Sequence, residues 1–134
     1  MRIFLDANIL FAACWSDGAI RLLRELLSHD HTLVVDGYVM AEAHRNLVVK
    51  SRNGVRELDR LASKLEVAPS ILRSDARITA LLPEKDRPVL AAAMHSSCDA
   101  LVTGDRRHFG QLYGRTIGQV TIYDPASLAE ALLF

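Results

Sequence analysis

The chain has 134 residues, of which 50% are hydrophobic and 24% charged, and its formal net charge is zero. This size and hydrophobicity predict a single folded domain spanning residues 1–134 and exclude a disordered chain. Zero net charge gives no general support for nucleic-acid binding, which would need a local basic patch. Two cysteines do not make a disulfide framework, no apolar run reaches the ~20 residues of a membrane span, and the N-terminus is charged too soon for a signal peptide. We therefore expect a cytoplasmic protein that does not contact a membrane.

Short apolar runs alternate with helical patterns along the chain, which indicates βαβ units around a parallel sheet. The predicted strands cover residues 2–5, 32–35, 67–68, 100–103 and 120–123. The predicted helices cover residues 17–27, 37–49, 55–65, 71–82, 87–95 and 125–133. Asp36, Asp86 and Asp124 precede three of these helices and are expected to cap them. A turn is predicted at residues 51–54, where Asn53 and Gly54 would break the helical pattern.

Acidic residues follow two of the predicted strands directly. Asp6 comes after the apolar run at residues 3–5, and Asp105 comes after Thr103 and Gly104. Ligands of open α/β sheets bind outside the carboxyl ends of the strands. Carboxylates gathered there repel one another unless a cation neutralises them, and hard divalent cations such as Mg²⁺ prefer oxygen ligands. The pattern therefore predicts a metal site at this edge of the sheet.

Each of these acidic residues also has a structural interpretation. Asp6 and Asp105 could do no more than form Asx-turns or cap the segments that follow them. Asp86, two residues before a proline, is a good N-cap candidate. Glu42 could be an ordinary helix-surface residue, although its apolar neighbours favour a partly buried position, where a carboxylate needs a partner. The combination of the four is more specific than any one of them.

Taken together, these motifs resemble a PIN domain, the nuclease domain found in the toxin component of many bacterial toxin–antitoxin pairs. The resemblance covers nearly the whole chain and is carried by four features. They are residues 3–8 (IFLDAN), Glu42, residues 86–93 (DRPVLAAA) and residues 99–105 (DALVTGD). The fold that the resemblance implies is a PIN-like three-layer α/β/α architecture around a central, mainly parallel twisted sheet.

The resemblance also implies which residues form the site. The catalytic and metal-binding positions carry over to Asp6, Glu42, Asp86 and Asp105, and the supporting polar positions carry over to Asn8 and Thr103. Such carboxylates would hold one or two Mg²⁺ or Mn²⁺ ions, and a metal-bound water would attack phosphorus. His108 stands where many members of the family have a further acidic residue, and the sequence around Glu42 matches the family only loosely.

The implied substrate is single-stranded or structured RNA. Arg106, Arg107 and His108 follow the Asp105 motif directly and are the expected contacts to substrate phosphate. A second basic face, formed by Arg56, Arg60 and Lys64 at helical spacing, is balanced by nearby acidic residues and favours an ordinary solvated surface. The resemblance further implies an antitoxin protein as partner and a homodimer.

Two other functions remain open from the sequence. A non-catalytic PIN module that binds only RNA or protein would be favoured by loss of an acidic residue, yet all four positions are filled. A phosphotransfer enzyme of the haloacid-dehalogenase type also starts with an Asp after strand one, but it requires a second Asp where Asn8 stands. The chain contains neither a P-loop nor a G-x-G-x-x-G motif, which argues against nucleotide hydrolysis and dinucleotide binding.

Overall fold

The structure, a computed structural model, describes residues 1–70, 78 and 80–133. The strands are β1 (Arg2–Leu5), β2 (Thr32–Asp36), β3 (Glu66–Ala68), β4 (Ala100–Val102), β5 (Thr116–Ile117) and β6 (Val120–Tyr123). The α-helices in this part of the chain are α1 (Ala7–Ala13), α2 (Asp17–Ser28), α3 (Gly37–Lys50), α4 (Arg52–Ala62), α5 (Arg87–His95), α6 (Arg106–Phe109) and α7 (Pro125–Leu133). Two short 3₁₀ segments lie at Glu84–Asp86 and Gly110–Leu112.

The six strands form one sheet in the order β3-β2-β1-β4-β6-β5, and every neighbouring pair except β5–β6 is parallel. The strand β1 lies at the centre, where Phe4 pairs with Val34 on one side and with Leu101 on the other. These three residues are fully buried, as expected for parallel strands covered on both faces. The prediction of a mainly parallel, three-layer α/β/α fold is therefore confirmed.

The strand order also determines where a ligand could bind. From β1 the chain moves outward to β2 and β3 on one side, and later crosses to β4 on the other side. The carboxyl ends of β1 and β4 therefore flank a topological switch point, where α/β sheets place their ligands. Leu5 pairs with Val102 in register, and the backbone N–H of Asp6 donates to the carbonyl of Val102 (3.1 Å). The residues that follow these two strands consequently lie side by side.

The helix break predicted at residues 51–54 is present at Ser51, but the turn predicted at Asn53 and Gly54 is wrong. The helix α3 ends at Lys50, and α4 begins two residues later and contains both Asn53 and Gly54. Ser51 separates the two helices and caps the second one, because its hydroxyl oxygen accepts a hydrogen bond from the backbone N–H of Gly54 (3.1 Å). The helix α1 and the two-residue strand β5 were not predicted, and most of the helix predicted at residues 71–82 falls outside the described residues.

The three predicted helix caps have different outcomes. Asp36 and Asp124 do cap their helices, accepting hydrogen bonds from the backbone N–H groups of Val39 (3.1 Å) and Ser127 (2.7 Å). Asp86 does not, because it lies at the end of a 3₁₀ turn with helical backbone angles, and its side chain accepts no capping hydrogen bond. Its carboxylate is therefore available for another role. None of the described helices combines the length and apolarity needed to cross a membrane.

Candidate active site

A cleft of about 140 Å³ opens at the carboxyl ends of β1 and β4. Its lining residues are Asp6, Ala7, Asn8, Phe11, Glu42, Asn46, Lys85, Asp86 and Asp105. The four acidic residues predicted from the sequence thus come together from the ends of two strands, from α3 and from the turn before α5. Asn8 lines the same cleft, whereas Thr103 lies beneath it, fully buried.

Asp6 is held in one orientation by three hydrogen bonds. Its Oδ1 accepts from the backbone N–H of Ala7 (2.7 Å), and its Oδ2 accepts from the hydroxyl of Thr103 (2.7 Å) and from the side-chain amide of Asn8 (3.1 Å). The side chain is buried, with 5% of the residue exposed. Burial raises the pKa of the Asp6 carboxyl above its usual value, the hydrogen bond from Thr103 opposes this change, and the charge of Glu42 adds to it. An ionised Asp6 would therefore gain from a nearby cation.

Asn8 and Thr103 connect the ends of the two central strands. The backbone N–H of Gly104 donates to Asn8 Oδ1 (2.7 Å), and the backbone N–H of Asp105 donates to Thr103 Oγ1 (3.1 Å). A side chain at Gly104 would place its Cβ only 3.3 Å from Asn8 Oδ1, so glycine permits this close approach. The arrangement fixes Asp6 and Asp105 relative to each other.

Asp105, His108 and Asp86 form a tight cluster on the other side of the cleft. Asp105 caps α6, accepting a hydrogen bond from the backbone N–H of His108 at Oδ1 (3.2 Å). The His108 Nδ1 atom lies 2.8 Å from Asp105 Oδ2 and 3.1 Å from Asp86 Oδ2. One ligand atom from each of the three residues lies within 4.8 Å of the other two. His108 was predicted to contact substrate phosphate, but its ring faces carboxylates instead.

The carboxylate of Asp86 has an oxygen that none of the described residues satisfies. Its Oδ2 is buried and accepts no hydrogen bond from the described residues, although His108 Nδ1 lies 3.1 Å away. Burial raises the pKa of the Asp86 carboxyl, while His108 and Lys85 act in the opposite direction. A buried carboxylate oxygen without a donor is costly. A divalent cation between Asp86, Asp105 and His108 would remove that cost, so these residues fit a metal ion.

The helix α3 contributes Glu42 and a neighbour that the sequence analysis missed. Asn46 follows Glu42 by four residues and lines the same cleft, because residues at this spacing share a helix face. Tyr38, one turn before Glu42, donates a hydrogen bond from its hydroxyl to the carbonyl of Lys85 (2.8 Å) and holds the turn that carries Asp86. The i, i+4 spacing of Asn46 from Glu42 was a usable signal, whereas nothing local indicated the role of Tyr38.

The basic residues near the cleft lie partly inside it and partly outside it. Lys85, which was not proposed as a site residue, lines the cleft among the carboxylates. Arg106 is 80% exposed and extends toward Asp124, with 3.4 Å between its Nη2 and Asp124 Oδ2. Arg107 is also exposed and, like Arg106, is not among the cleft-lining residues. The two arginines lie on α6, at the outer side of the Asp105 turn.

Several solved structures resemble this fold at low sequence identity. VapBC2 from Rickettsia felis, bound to a DNA fragment from its promoter, has a TM-score of 0.65 and 18% identity, and the match covers 92% of this chain and 98% of that one. VapBC-1 from nontypeable Haemophilus influenzae has a TM-score of 0.58 and 15% identity, covering 94% and 99%. Mycobacterium tuberculosis VapC20, a sarcin–ricin loop cleaving toxin, has a TM-score of 0.55 and 13% identity, covering 78% and 91%.

The family assignment comes from the sequence. A search of curated proteins gave no match. The family model for the PIN domain matches residues 2–107, a stretch that begins at β1 and ends just after Asp105. It thus includes all four carboxylates of the cleft. Because this match covers far more than half of the 134 residues, the chain belongs to the PIN domain family.

Proposed function

We propose that this protein is a metal-dependent endoribonuclease that cleaves phosphodiester bonds of single-stranded RNA, and that it is the toxin of a toxin–antitoxin pair. The observation that carries the proposal is the meeting of four carboxylates, from distant parts of a PIN-family chain, around one cleft. Its structural likeness to VapC20, a sarcin–ricin loop cleaving toxin, supports RNA as the substrate. Its likeness to the two VapBC structures supports an antitoxin partner.

In this proposal Asp6, Glu42, Asp86 and Asp105 hold Mg²⁺ or Mn²⁺. Such a cation lowers the pKa of water and offsets the negative charge that develops at phosphorus. The chain itself supplies orientation. Thr103 and Asn8 hold the Asp6 carboxylate in place through their hydrogen bonds to Oδ2, and Lys85 brings a positive charge to a cleft that must accept a phosphate. None of these roles requires a side-chain nucleophile.

The test is cleavage of mixed RNA by the purified protein with Mg²⁺, with Mn²⁺ and with EDTA. We expect cleavage with either metal and none with EDTA. Asp105→Asn should abolish cleavage, because it removes one of the clustered carboxylates. Asp124→Asn is the matched control, since Asp124 also follows a strand but caps α7 and does not line the cleft. It should cleave like the wild type.

Three outcomes would contradict parts of this proposal. Cleavage that continues in EDTA would exclude the metal mechanism. Failure to cleave any RNA, with metal binding intact, would favour a non-catalytic PIN module that binds RNA or protein. Adding the product of a gene encoded beside this one should inhibit cleavage if that product is the antitoxin. If no neighbouring product inhibits it, the protein is a nuclease outside a toxin–antitoxin pair.

A further inference from the structure

His108 lies between two carboxylates of the cleft, and this position bears on which cation the cleft would bind. Its Nδ1 is 2.8 Å from Asp105 Oδ2 and 3.1 Å from Asp86 Oδ2. The side chains of His108 and Asp86 are 20% and 13% exposed, so the imidazole nitrogen approaches the carboxylates from within the protein. The ring is therefore a candidate ligand for whatever ion the carboxylates hold.

Hydrogen bonds hold the segment of backbone that carries the imidazole. The N–H of His108 donates to Asp105 Oδ1, and the N–H of Asp105 donates to Thr103 Oγ1, which in turn donates to Asp6. His108 is thereby connected through short hydrogen bonds to the end of β4 and to the opposite wall of the cleft. Turning the ring outward to contact a phosphate would break its contact with Asp105.

A nitrogen donor changes the chemistry of the cluster. Mg²⁺ takes oxygen ligands almost exclusively and requires near-ideal octahedral geometry. Imidazole suits the divalent first-row transition metals, whose affinities for mixed N/O sites rise from Mn²⁺ towards Cu²⁺. In this cluster, two carboxylate oxygens and one imidazole nitrogen lie within 4.8 Å of one another. Such a mixed oxygen and nitrogen donor set suits a transition-metal ion better than Mg²⁺. His108 can coordinate through Nδ1 when its proton is on Nε2.

We propose that Asp86, Asp105 and His108 form a mixed-donor site that binds a divalent first-row transition-metal ion in preference to Mg²⁺, with His108 Nδ1 as a direct ligand. The inference rests on the proposed function, because it specifies the cofactor of the same cleft. The proposed function treats Mg²⁺ and Mn²⁺ as equivalent cofactors. Here Mn²⁺ and the later first-row transition-metal ions are preferred over Mg²⁺.

The test measures metal binding without RNA at about pH 8, because metal ligands bind in their deprotonated forms. Calorimetric titration with Mn²⁺ and with Mg²⁺ should give the wild type a preference for Mn²⁺ of roughly tenfold or more. Pulsed EPR of the Mn²⁺-loaded protein should show nitrogen hyperfine coupling from a coordinated imidazole. His108→Asp should remove that coupling and reduce the Mn²⁺ preference. His44→Asp, a change at an exposed histidine of α3, should alter neither.

Each result decides the question. If the wild type binds Mn²⁺ without nitrogen coupling, or binds both metals equally, the mixed-donor site is wrong while the carboxylate site of the proposed function stands. If the wild type binds neither metal, the metal dependence of the proposed function fails as well. Should His108→Asp not fold, His108→Gln replaces it, since an amide side chain removes the imidazole and its coupling without adding a charge.

Discussion

Asp86 and Asp124 are both aspartates at the start of a helix, but their surroundings shift the pKa values of their carboxyl groups in opposite directions. Burial raises the pKa of the Asp86 carboxyl, and its Oδ2 accepts no hydrogen bond from the described residues. Hydrogen bonds from Ser127 lower the pKa of the Asp124 carboxyl, and Arg106 adds to this. Without a metal, the charge on Asp86 therefore destabilises the fold, whereas the charge on Asp124 stabilises it.

This contrast predicts the effect of two equivalent substitutions. In EDTA near neutral pH, Asp86→Asn should raise the melting temperature, because it removes a poorly solvated charge without losing a capping hydrogen bond. Asp124→Asn should lower it slightly, since asparagine still caps α7 but the favoured charge is lost. Differential scanning calorimetry of the two variants and the wild type measures both changes. A fall in melting temperature for Asp86→Asn would mean that its charge is satisfied in the folded protein.

The same pKa directions predict how the difference depends on pH. The folded pKa of Asp86 lies above the usual 3.8, so its destabilising charge is fully present at neutral pH and disappears as the pH falls towards that value. The advantage of Asp86→Asn should therefore decrease as the pH falls and be lost below about pH 4. For Asp124, whose folded pKa lies below 3.8, the stabilisation is present above 3.8 and is lost as the pH falls through the folded pKa.

For individual residues, the sequence predicted the cleft positions of residues that follow strands better than the positions of residues on helices and turns. Asp6 and Asp105 could be placed near each other because parallel strands end at a common edge of the sheet. Lys85 could not be placed, since its direction depends on how the turn before α5 packs, whereas Asn46 could have been inferred from its i, i+4 spacing to Glu42. The capping role predicted for Asp86 failed for the same reason, because the 3₁₀ turn before α5 is set by tertiary contacts such as that of Tyr38 with Lys85.

Among the helices, the junction of α3 with α4 shows how packing overrides local sequence preference. Asn53 and Gly54 are typical turn residues, yet both lie in α4. The cap supplied by Ser51 starts the helix, and the close packing of α4 on α3 stabilises it, because a Cβ at Gly54 would lie 2.8 Å from Leu47 Cδ2. Sequence patterns report helix propensity, and the cost of a single glycine relative to alanine is at most about 1 kcal/mol. Packing contacts such as the one between Gly54 and Leu47 can contribute more than this.

Two glycine substitutions in helices should therefore have opposite effects. Gly54→Ala should destabilise the protein despite the better helix propensity of alanine, because Leu47 is fully buried and has to move. Gly18→Ala in α2 should stabilise it by up to about 1 kcal/mol, since nothing lies within 4 Å of the added Cβ. Urea unfolding followed by circular dichroism gives both free energies of unfolding. Stabilisation by both variants would show that α3 and α4 can separate without cost.

For the molecule as a whole, the formal net charge is zero, so the proposed RNA binding would depend on local basic groups. We propose that Arg106 and Arg107 contact RNA phosphates outside the cleft, while Lys85 acts within it. Replacing both arginines with alanine should weaken RNA binding. The slope of log affinity against log salt concentration should become shallower, by an amount that corresponds to about two phosphate contacts. Fluorescence anisotropy over a range of salt concentrations measures this slope.

The matched control for this prediction is Arg56→Ala with Arg60→Ala in α4. It removes the same charge from a helix where Arg60 already pairs with Glu57 (2.6 Å). The slope could stay unchanged for the Arg106 and Arg107 variant and become flatter for the control. That outcome would indicate that RNA binds at α4 instead of α6. That result would leave the assignment of the cleft itself unaffected.

The four carboxylates of the cleft stand at positions 6, 42, 86 and 105 of the chain, and the last strand needed to hold them is β6. The N–H of Thr103, beside Asp105, donates to the carbonyl of Tyr123 in β6 (3.0 Å). The support of the β4 end of the cleft is therefore complete only when β6 has joined the sheet. For the proposed ribonuclease, a chain in which β6 has not yet joined the sheet would lack this support beside Asp105 and should therefore not cleave RNA.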